Sequence, residues 1–212
     1  ALVVAGGAEV VGRARPLLLR VAELASQAGE LELALHHYRL AADGAGPAVG
    51  VVIALDIADL ERRRGNPDAA LAAATGALAT ARRAADPALE ARCHLRVAWL
   101  HAHRADYALA ADHATIGLPL ARKTGDRTLE IELARVAAAI ATSVGEPRRA
   151  LAILDAMPAV AADQPRLLAG IAHELGRAAI QAGDYPRAIE ALERAVAAAE
   201  AAGDLEQRAR ST

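Results

Sequence analysis

Three short stretches carry residue types that could do chemistry. GAEVVGRA (Gly7–Ala14) has the outline of a phosphate-binding loop: a Gly, four residues, a Gly and a basic residue. In such a loop a Lys reaches the phosphates and a Ser or Thr hydroxyl holds magnesium. Here Arg13 and Ala14 stand at those two places, and no alternation of strands and helices follows. The stretch is therefore read as a loose lead-in, or as the frayed end of a preceding helix. HELGR (His173–Arg177) opens like a zinc-protease helix, but Arg177 replaces the second histidine and a ligand is lost. His94, His101 and His103 surround Trp99. The first two lie seven residues apart, about 10 Å along a helix, too far to share a metal ion unaided. His36 and His37 are adjacent and point apart. Cys93 next to His94 is not a nucleophile pair, because sequence neighbours diverge on a helix. A buried, inert thiol is the expectation. No acid, base and nucleophile converge, so the sequence is read as non-catalytic, with no cofactor and no metal.

Composition explains what must position any site. The chain has 212 residues, enough for a sizeable core. Of these, 54% are hydrophobic but only 2% aromatic; Phe is absent and Ala accounts for 59 residues. Small side chains fill little volume, so such a core requires close backbone approach. Helices suit it, since Ala is the best helix former. A sheet does not, for want of β-branched and aromatic residues. The net charge of −2, with no basic block, argues against direct nucleic-acid binding. Every basic residue except Lys123 is Arg, which favours bidentate pairing with carboxylates. The single Cys93 excludes an internal disulfide and suits a cytoplasmic location. No apolar run is long enough to predict a membrane span.

The sequence repeats itself. Gly (Ala in one copy) followed five residues later by Ala occurs at Gly29–Ala34, Gly65–Ala70, Ala105–Ala110, Gly145–Ala150 and Gly183–Ala188. The starts are 36, 40, 40 and 38 residues apart. A small residue followed by Asp falls between them: Ala42-Asp43, Ala85-Asp86, Gly125-Asp126, Ala162-Asp163 and Gly203-Asp204. Two breaks per period predict two helices per repeat. Gly can end a helix in the left-handed conformation, and the Asp or Asn after it can cap the next. Pro67, Pro87, Pro147 and Pro186 fit a first turn. The predicted helices are 11–28, 31–43, 48–64, 67–84, 87–104, 106–124, 127–144, 147–157, 165–182 and 185–202. Pro158 shortens the eighth and leaves AVAADQP as a loop. The repeats are then 11–43, 48–86, 87–126, 127–163 and 165–204, in a single array over 1–212. Seven residues before each first-helix end stands a small residue: Ala22, Ala58, Ala98, Ala138 and Gly176. Each is expected to face the Ala of the second helix, bringing the pair to the short end of the 8–10 Å range.

With these residues in place, ELGRAAIQAGDYPRAIEALERAV (Glu174–Val196) resembles the tetratricopeptide repeat, through Leu175, Gly176, Gly183, Tyr185, Ala188, Leu192 and Ala195. Tyr38 occupies the large second-helix position of repeat 1. The resemblance covers residues 11–204. It departs in period, about 40 residues against the family's 34. Long repeats of this kind are similar to those in large bacterial LuxR-type regulators and in arrays that precede caspase-like proteases. The resemblance implies an all-α, right-handed superhelical α-solenoid of five antiparallel helix pairs, expected as a fragment of a larger protein.

In that family the first helices line a concave groove. Carried over, the groove residues are Glu23, Gln27, Asp59, Arg62, Arg63, Arg92, Arg96, Trp99, His103, Arg135, Thr142, His173, Arg177 and Gln181. Trp99, the only Trp, could stack on a ligand while Arg92, Arg135 and Arg177 pair with carboxylates. It could equally be a helix-packing residue, and the arginines could pair with Glu132 or Glu174. The family's Lys–Asn clamp for peptide C-termini is absent. The expected function is non-catalytic recognition of a protein or peptide partner, or of a small regulatory ligand, as part of a bacterial regulator. The alternative is a scaffold that self-associates or spaces other domains, with a homo-oligomer as the possible assembly.

Overall fold

The computed structural model describes residues 2–157 and 164–203, with side chains from residue 11 onward. These residues form helices and short turns only. The helices are α1 (Leu2–Gln27), α2 (Leu31–Ala42), α3 (Pro47–Arg63), α4 (Pro67–Arg83), α5 (Pro87–His103), α6 (Tyr107–Thr124), α7 (Arg127–Ser143), α8 (Pro147–Asp155), α9 (Pro165–Ala182) and α10 (Tyr185–Ala202). The all-α expectation holds, and every predicted helix has its counterpart. The main difference is α1. It starts at Leu2 rather than near residue 11, so Gly7–Ala14 is helical and not a loose lead-in. Its middle is tied to the end of α2: Arg15 Nε donates to the Ala41 carbonyl (2.8 Å) and Nη2 to that of Asp43 (2.9 Å). A guanidinium thus satisfies carbonyls that the end of α2 leaves open. The eighth helix is short as expected. Residues 158–163, including Pro158, Ala162-Asp163 and most of AVAADQP, lie outside the described residues.

The turns show why the punctuation recurs. Gly29, Gly65, Ala105, Gly145 and Gly183 all have positive φ, between 61° and 83°. The N–H of the following residue reaches back to the carbonyl five positions earlier, as in Asp184 to Ala179 (2.9 Å) and Asp106 to His101 (2.9 Å). This is the Schellman arrangement, which reverses the chain within two residues. Capping follows the expectation only in part. Asp86, Asp126 and Asp184 accept backbone N–H bonds from the first turn of the next helix. Asn66 does not cap α4; its amide donates to Glu61 Oε2 (3.0 Å). Glu61, only 4% exposed, also accepts from Arg39 and Arg64. The Asn66 hydrogen bond, ahead of the arginines, holds its carboxyl below the ordinary value despite burial. The Asp106 side chain likewise leaves its helix uncapped and lies 3.4 Å from His101 Nδ1. In repeat 1 the left-handed pivot is Gly44, not Ala42.

The helices fall into two compact units, Ala1–Leu100 and His101–Thr212. In the first, α1, α2 and α3 share a core of Ala22, Ala25, Ala34, Leu35, Tyr38, Ala41, Ile53 and Leu60. A second core joins α3, α4 and α5 through Ala58, Ala70, Ala74, Cys93 and Val97. In the second unit, α6 packs on α7, α7 on α8 and α9, and α9 on α8 and α10. Ala138, Ala141, Ala150, Leu154 and Ala178 form a core there. The predicted small positions are buried in all five repeats. At Gly176 the approach leaves no room for a side chain: a Cβ would sit 2.6 Å from Leu192 Cδ2.

Two outcomes follow. Ala110→Leu, which places three extra carbons at a site with no free surface, destabilises by about 1–3 kcal/mol in urea unfolding. Ala105 holds φ +61° with a Cβ, so Ala105→Gly stabilises by about 0.5–1 kcal/mol, strain relief outweighing unfolded-state entropy.

Candidate functional site

Within the N-terminal unit, α1, α3 and α5 present a connected set of side chains. Asp59 on α3 is held by two arginines: Arg62 Nη2 at 3.1 Å and Arg96 Nη1, from α5, at 3.3 Å. The Arg62 guanidinium lies 4.6 Å from the centre of the Trp99 ring, a cation–π contact. Four residues expected in the groove, Asp59, Arg62, Arg96 and Trp99, are therefore brought together by α3 and α5. Trp99 also packs on the core of α3, α4 and α5, so stacking and packing coexist in one side chain. Arg63 turns instead to the end of α1, donating to the Ser26 hydroxyl (2.6 Å) and carbonyl (2.9 Å). Glu23 pairs with Arg20 (3.1 Å) on the exposed side of α1. Gln27 and Arg92 are exposed.

The remaining candidates belong to the C-terminal unit. Arg135 forms a 2.8 Å ion pair with Glu132 and lays its stem against Gly170 of α9. Arg177 pairs with the nearly buried Glu174 at 3.2 Å. Thr142 is buried, and its hydroxyl donates to the Ala138 carbonyl (3.0 Å), so it presents no open surface. His103 and Gln181 are exposed and His173 is half-buried. Cys93 is fully buried, and burial pushes its thiol up to about 12, keeping it protonated. His94 is also buried, 3.3 Å from Arg82 Nη2 and 3.6 Å from Glu90. Among the described residues no group of three potential metal ligands converges.

The larger surprise lies beside Asp59. A polar pocket of about 220 Å³ is lined by Ser26, Tyr38, Asp56, Asp59, Leu60 and Arg96. An apolar pocket of about 410 Å³ adjoins it, walled by Leu19, Val49, Val52, Ile53 and Leu89 with Glu23 and Asp86 at its edge. Tyr38 and Asp56 line both. Asp56 makes no hydrogen bond or ion pair among the described residues. Burial pushes its carboxyl up to about 6; Arg96 opposes this, and Asp59 and Glu23 add to it. Tyr38 is pushed up to about 12, first by burial and then by Asp56, Glu23 and Asp59. Sequence reasoning placed Tyr38 only as a packing residue and passed over Asp56 and Ser26. The signal was available for Asp56, which lies three residues before Asp59 and so on the same face of α3.

The helix pairs, their Schellman turns and their alanine contacts define an all-α helical-repeat protein with the tetratricopeptide-repeat fold. No protein-family model and no curated protein matches the sequence significantly. Solved structures do match the fold. One is the Rap conjugation gene regulator of plasmid pLS20 in complex with the Phr* peptide, with a TM-score of 0.78 and 14% identity over 92% of this chain. Another is a Rap protein complexed with competence and sporulation factor, at 0.70 and 14% over 92%. A third comprises nearly identical TPR-like repeats assigned to a kinesin light chain in Podosopora anserina, at 0.69 and 16% over 90% of this chain and 97% of that one. The alignment spans 55% and 61% of the two Rap chains. No helix among the described residues is long and apolar enough to cross a membrane.

The raised Asp56 carboxyl has a thermodynamic consequence. Between about pH 4 and 6 the folded protein keeps a proton that the unfolded chain has released, so this group lowers stability as pH rises through that window. Asp56→Asn therefore stabilises the chain by about 1–2 kcal/mol at pH 7.5, after allowing for solvent screening, and has little effect at pH 4. Urea unfolding of both proteins at the two pH values checks this.

Proposed function

We propose that this chain is a non-catalytic recognition module that binds a protein or peptide segment on α1, α3 and α5, as a regulatory or sensing part of a larger bacterial protein. The observation that carries the reading is the Asp59–Arg62–Arg96–Trp99 cluster bordering two joined pockets. It combines an aromatic face, fixed guanidinium groups and an apolar recess on rigid helices, the usual make-up of a peptide-binding site. Structures with the same fold that hold the Phr* peptide and the competence and sporulation factor support this reading. A cytoplasmic setting agrees with a single, buried and protonated cysteine.

A scaffold role has its own observation in the C-terminal unit. Leu109 and Ile116 lie seven residues apart on α6 and are both nearly half exposed. A mostly apolar pocket of about 350 Å³ lies between α6, α7 and α8, lined on α6 by Ala108, Ala111 and Thr115 and not by this pair. The Leu109–Ile116 stripe suits self-association.

One comparison separates the two. In selection from a random peptide library, Arg96→Ala combined with Trp99→Leu lowers affinity for selected peptides at least tenfold, with helicity by circular dichroism unchanged. Unchanged affinity refutes recognition at this site. A dimer in sedimentation that Ile116→Glu dissociates, with no peptide selected, establishes the scaffold reading in its place.

A further inference from the structure

Resting on the recognition reading, we infer that the joined pockets of α1, α2, α3 and α5 take a peptide segment in which a basic side chain adjoins a branched aliphatic one. The aliphatic side chain fills the recess of Leu19, Val49, Val52, Ile53 and Leu89. The basic side chain reaches Asp56 and Tyr38.

Three observations on different groups converge on this occupant. The first is charge. Glu23, Asp56 and Asp86 line the apolar pocket, and no basic residue does. An apolar recess edged by carboxylates alone complements a side chain that is aliphatic along its length and cationic at its end. The second is the state of Asp56. Asp59, one turn along α3, is neutralised by Arg62 and Arg96 at 3.1 and 3.3 Å. Asp56 has no such partner among the described residues, although it is half-buried and borders both pockets. The third is Tyr38. It is 6% exposed and lines both pockets, yet its hydroxyl forms no hydrogen bond among the described residues. The ring is buried, but the hydroxyl opens onto the pockets. There it can accept from a guanidinium or ammonium group or donate to a peptide carbonyl.

The surrounding charges set the pH response. Facing Asp56 are Glu23 of α1, Tyr38 of α2, Asp59 of α3, and Asp86 and Arg96 at and on α5. Arg96 is the one cation among them and is already engaged with Asp59. An incoming cation therefore meets a net negative site when Asp56 is ionised. It meets a weaker one when Asp56 is protonated, below about pH 6.

The test uses the 212-residue chain and an N-acetylated, C-amidated octapeptide library. Each peptide carries one fixed Leu, and the residue beside it is scanned through Arg, Lys, citrulline, Gln and Glu. Binding is read by fluorescence anisotropy at pH 7.5 and pH 5. Arg and Lys peptides bind at least tenfold more tightly than those with citrulline, Gln or Glu at pH 7.5, and the preference shrinks severalfold at pH 5. Asp56→Asn removes the preference, and Tyr38→Phe weakens Arg-peptide binding severalfold; because Asp56→Asn is expected to stabilise the fold, loss of binding there is not loss of structure. A preference for Glu, no preference, or an Arg preference that survives Asp56→Asn overturns the inference. In those cases peptide binding that still depends on Arg96 and Trp99 leaves the recognition reading standing. Absence of binding by every peptide overturns both.

Discussion

The structure depends on how closely two helices can approach when a small residue on each meets the other. Ala22 with Ala34, Ala58 with Ala70, and Ala138 with Ala150 share cores where none has exposed surface to speak of. With no Phe in the chain, volume cannot come from large rings. It comes from bringing backbones together, so that many weak dispersion contacts replace a few bulky side chains. At Gly176 even a methyl group meets Leu192. A core of this kind tolerates polar change on its outer faces and little enlargement within.

The turns are the second half of the same constraint. Helices that nest through single small residues must start and stop in register, because a slip of one position rotates the notch by about 100°. The Schellman turns supply that register by closing each helix with a back-bond from a fixed residue. Ala105 and Ala85 keep the left-handed geometry despite carrying a Cβ. Their φ of 61° and 52° shows that packing on both sides dictates the turn and the residue type only eases it. Polar groups reinforce the register where apolar area is small. Arg15 closes the end of α2, and Glu61 gathers Arg39, Arg64 and Asn66 around the α3–α4 turn.

This division explains what the sequence disclosed. Helix boundaries and the small positions were legible because each rests on a local rule that recurs: a left-handed residue, a proline in the first turn, an Ala at fixed distance. The start of α1 was not, because Gly6, Gly7 and Gly12 lower helix propensity and no repeat partner marks that stretch. Side-chain caps were legible at Asp86, Asp126 and Asp184. They failed at Asn66 and Asp106, where a neighbour, Glu61 or His101, competes for the side chain. The cluster of Asp59, Arg62, Arg96 and Trp99 could be anticipated from one face of the first helices. Tyr38 and the apolar recess could not. They depend on how α2 leans behind α1 and α3, which is a property of packing and not of spacing.

Asp56 and Asp59 are one turn apart on one helix and differ in everything but residue type. Asp59 has two guanidinium groups and is what an ordinary folded surface produces. Asp56 is half-buried, has no ion-pair partner among the described residues, and is pushed toward its neutral form by burial, against the partial opposition of Arg96. Holding a carboxylate in such a place lowers stability at neutral pH, since the attraction of Arg96 offsets the desolvation only in part. Tyr38 adds a hydroxyl that forms no hydrogen bond among the described residues and opens onto the same pockets. An alanine-rich helix offers many residues that would fill this position at no such cost. Asp56, without an ion-pair partner among the described residues, and the Tyr38 hydroxyl share the mouth of the two pockets, which supports the proposed recognition site. In natural proteins such a place is ordinarily a binding site.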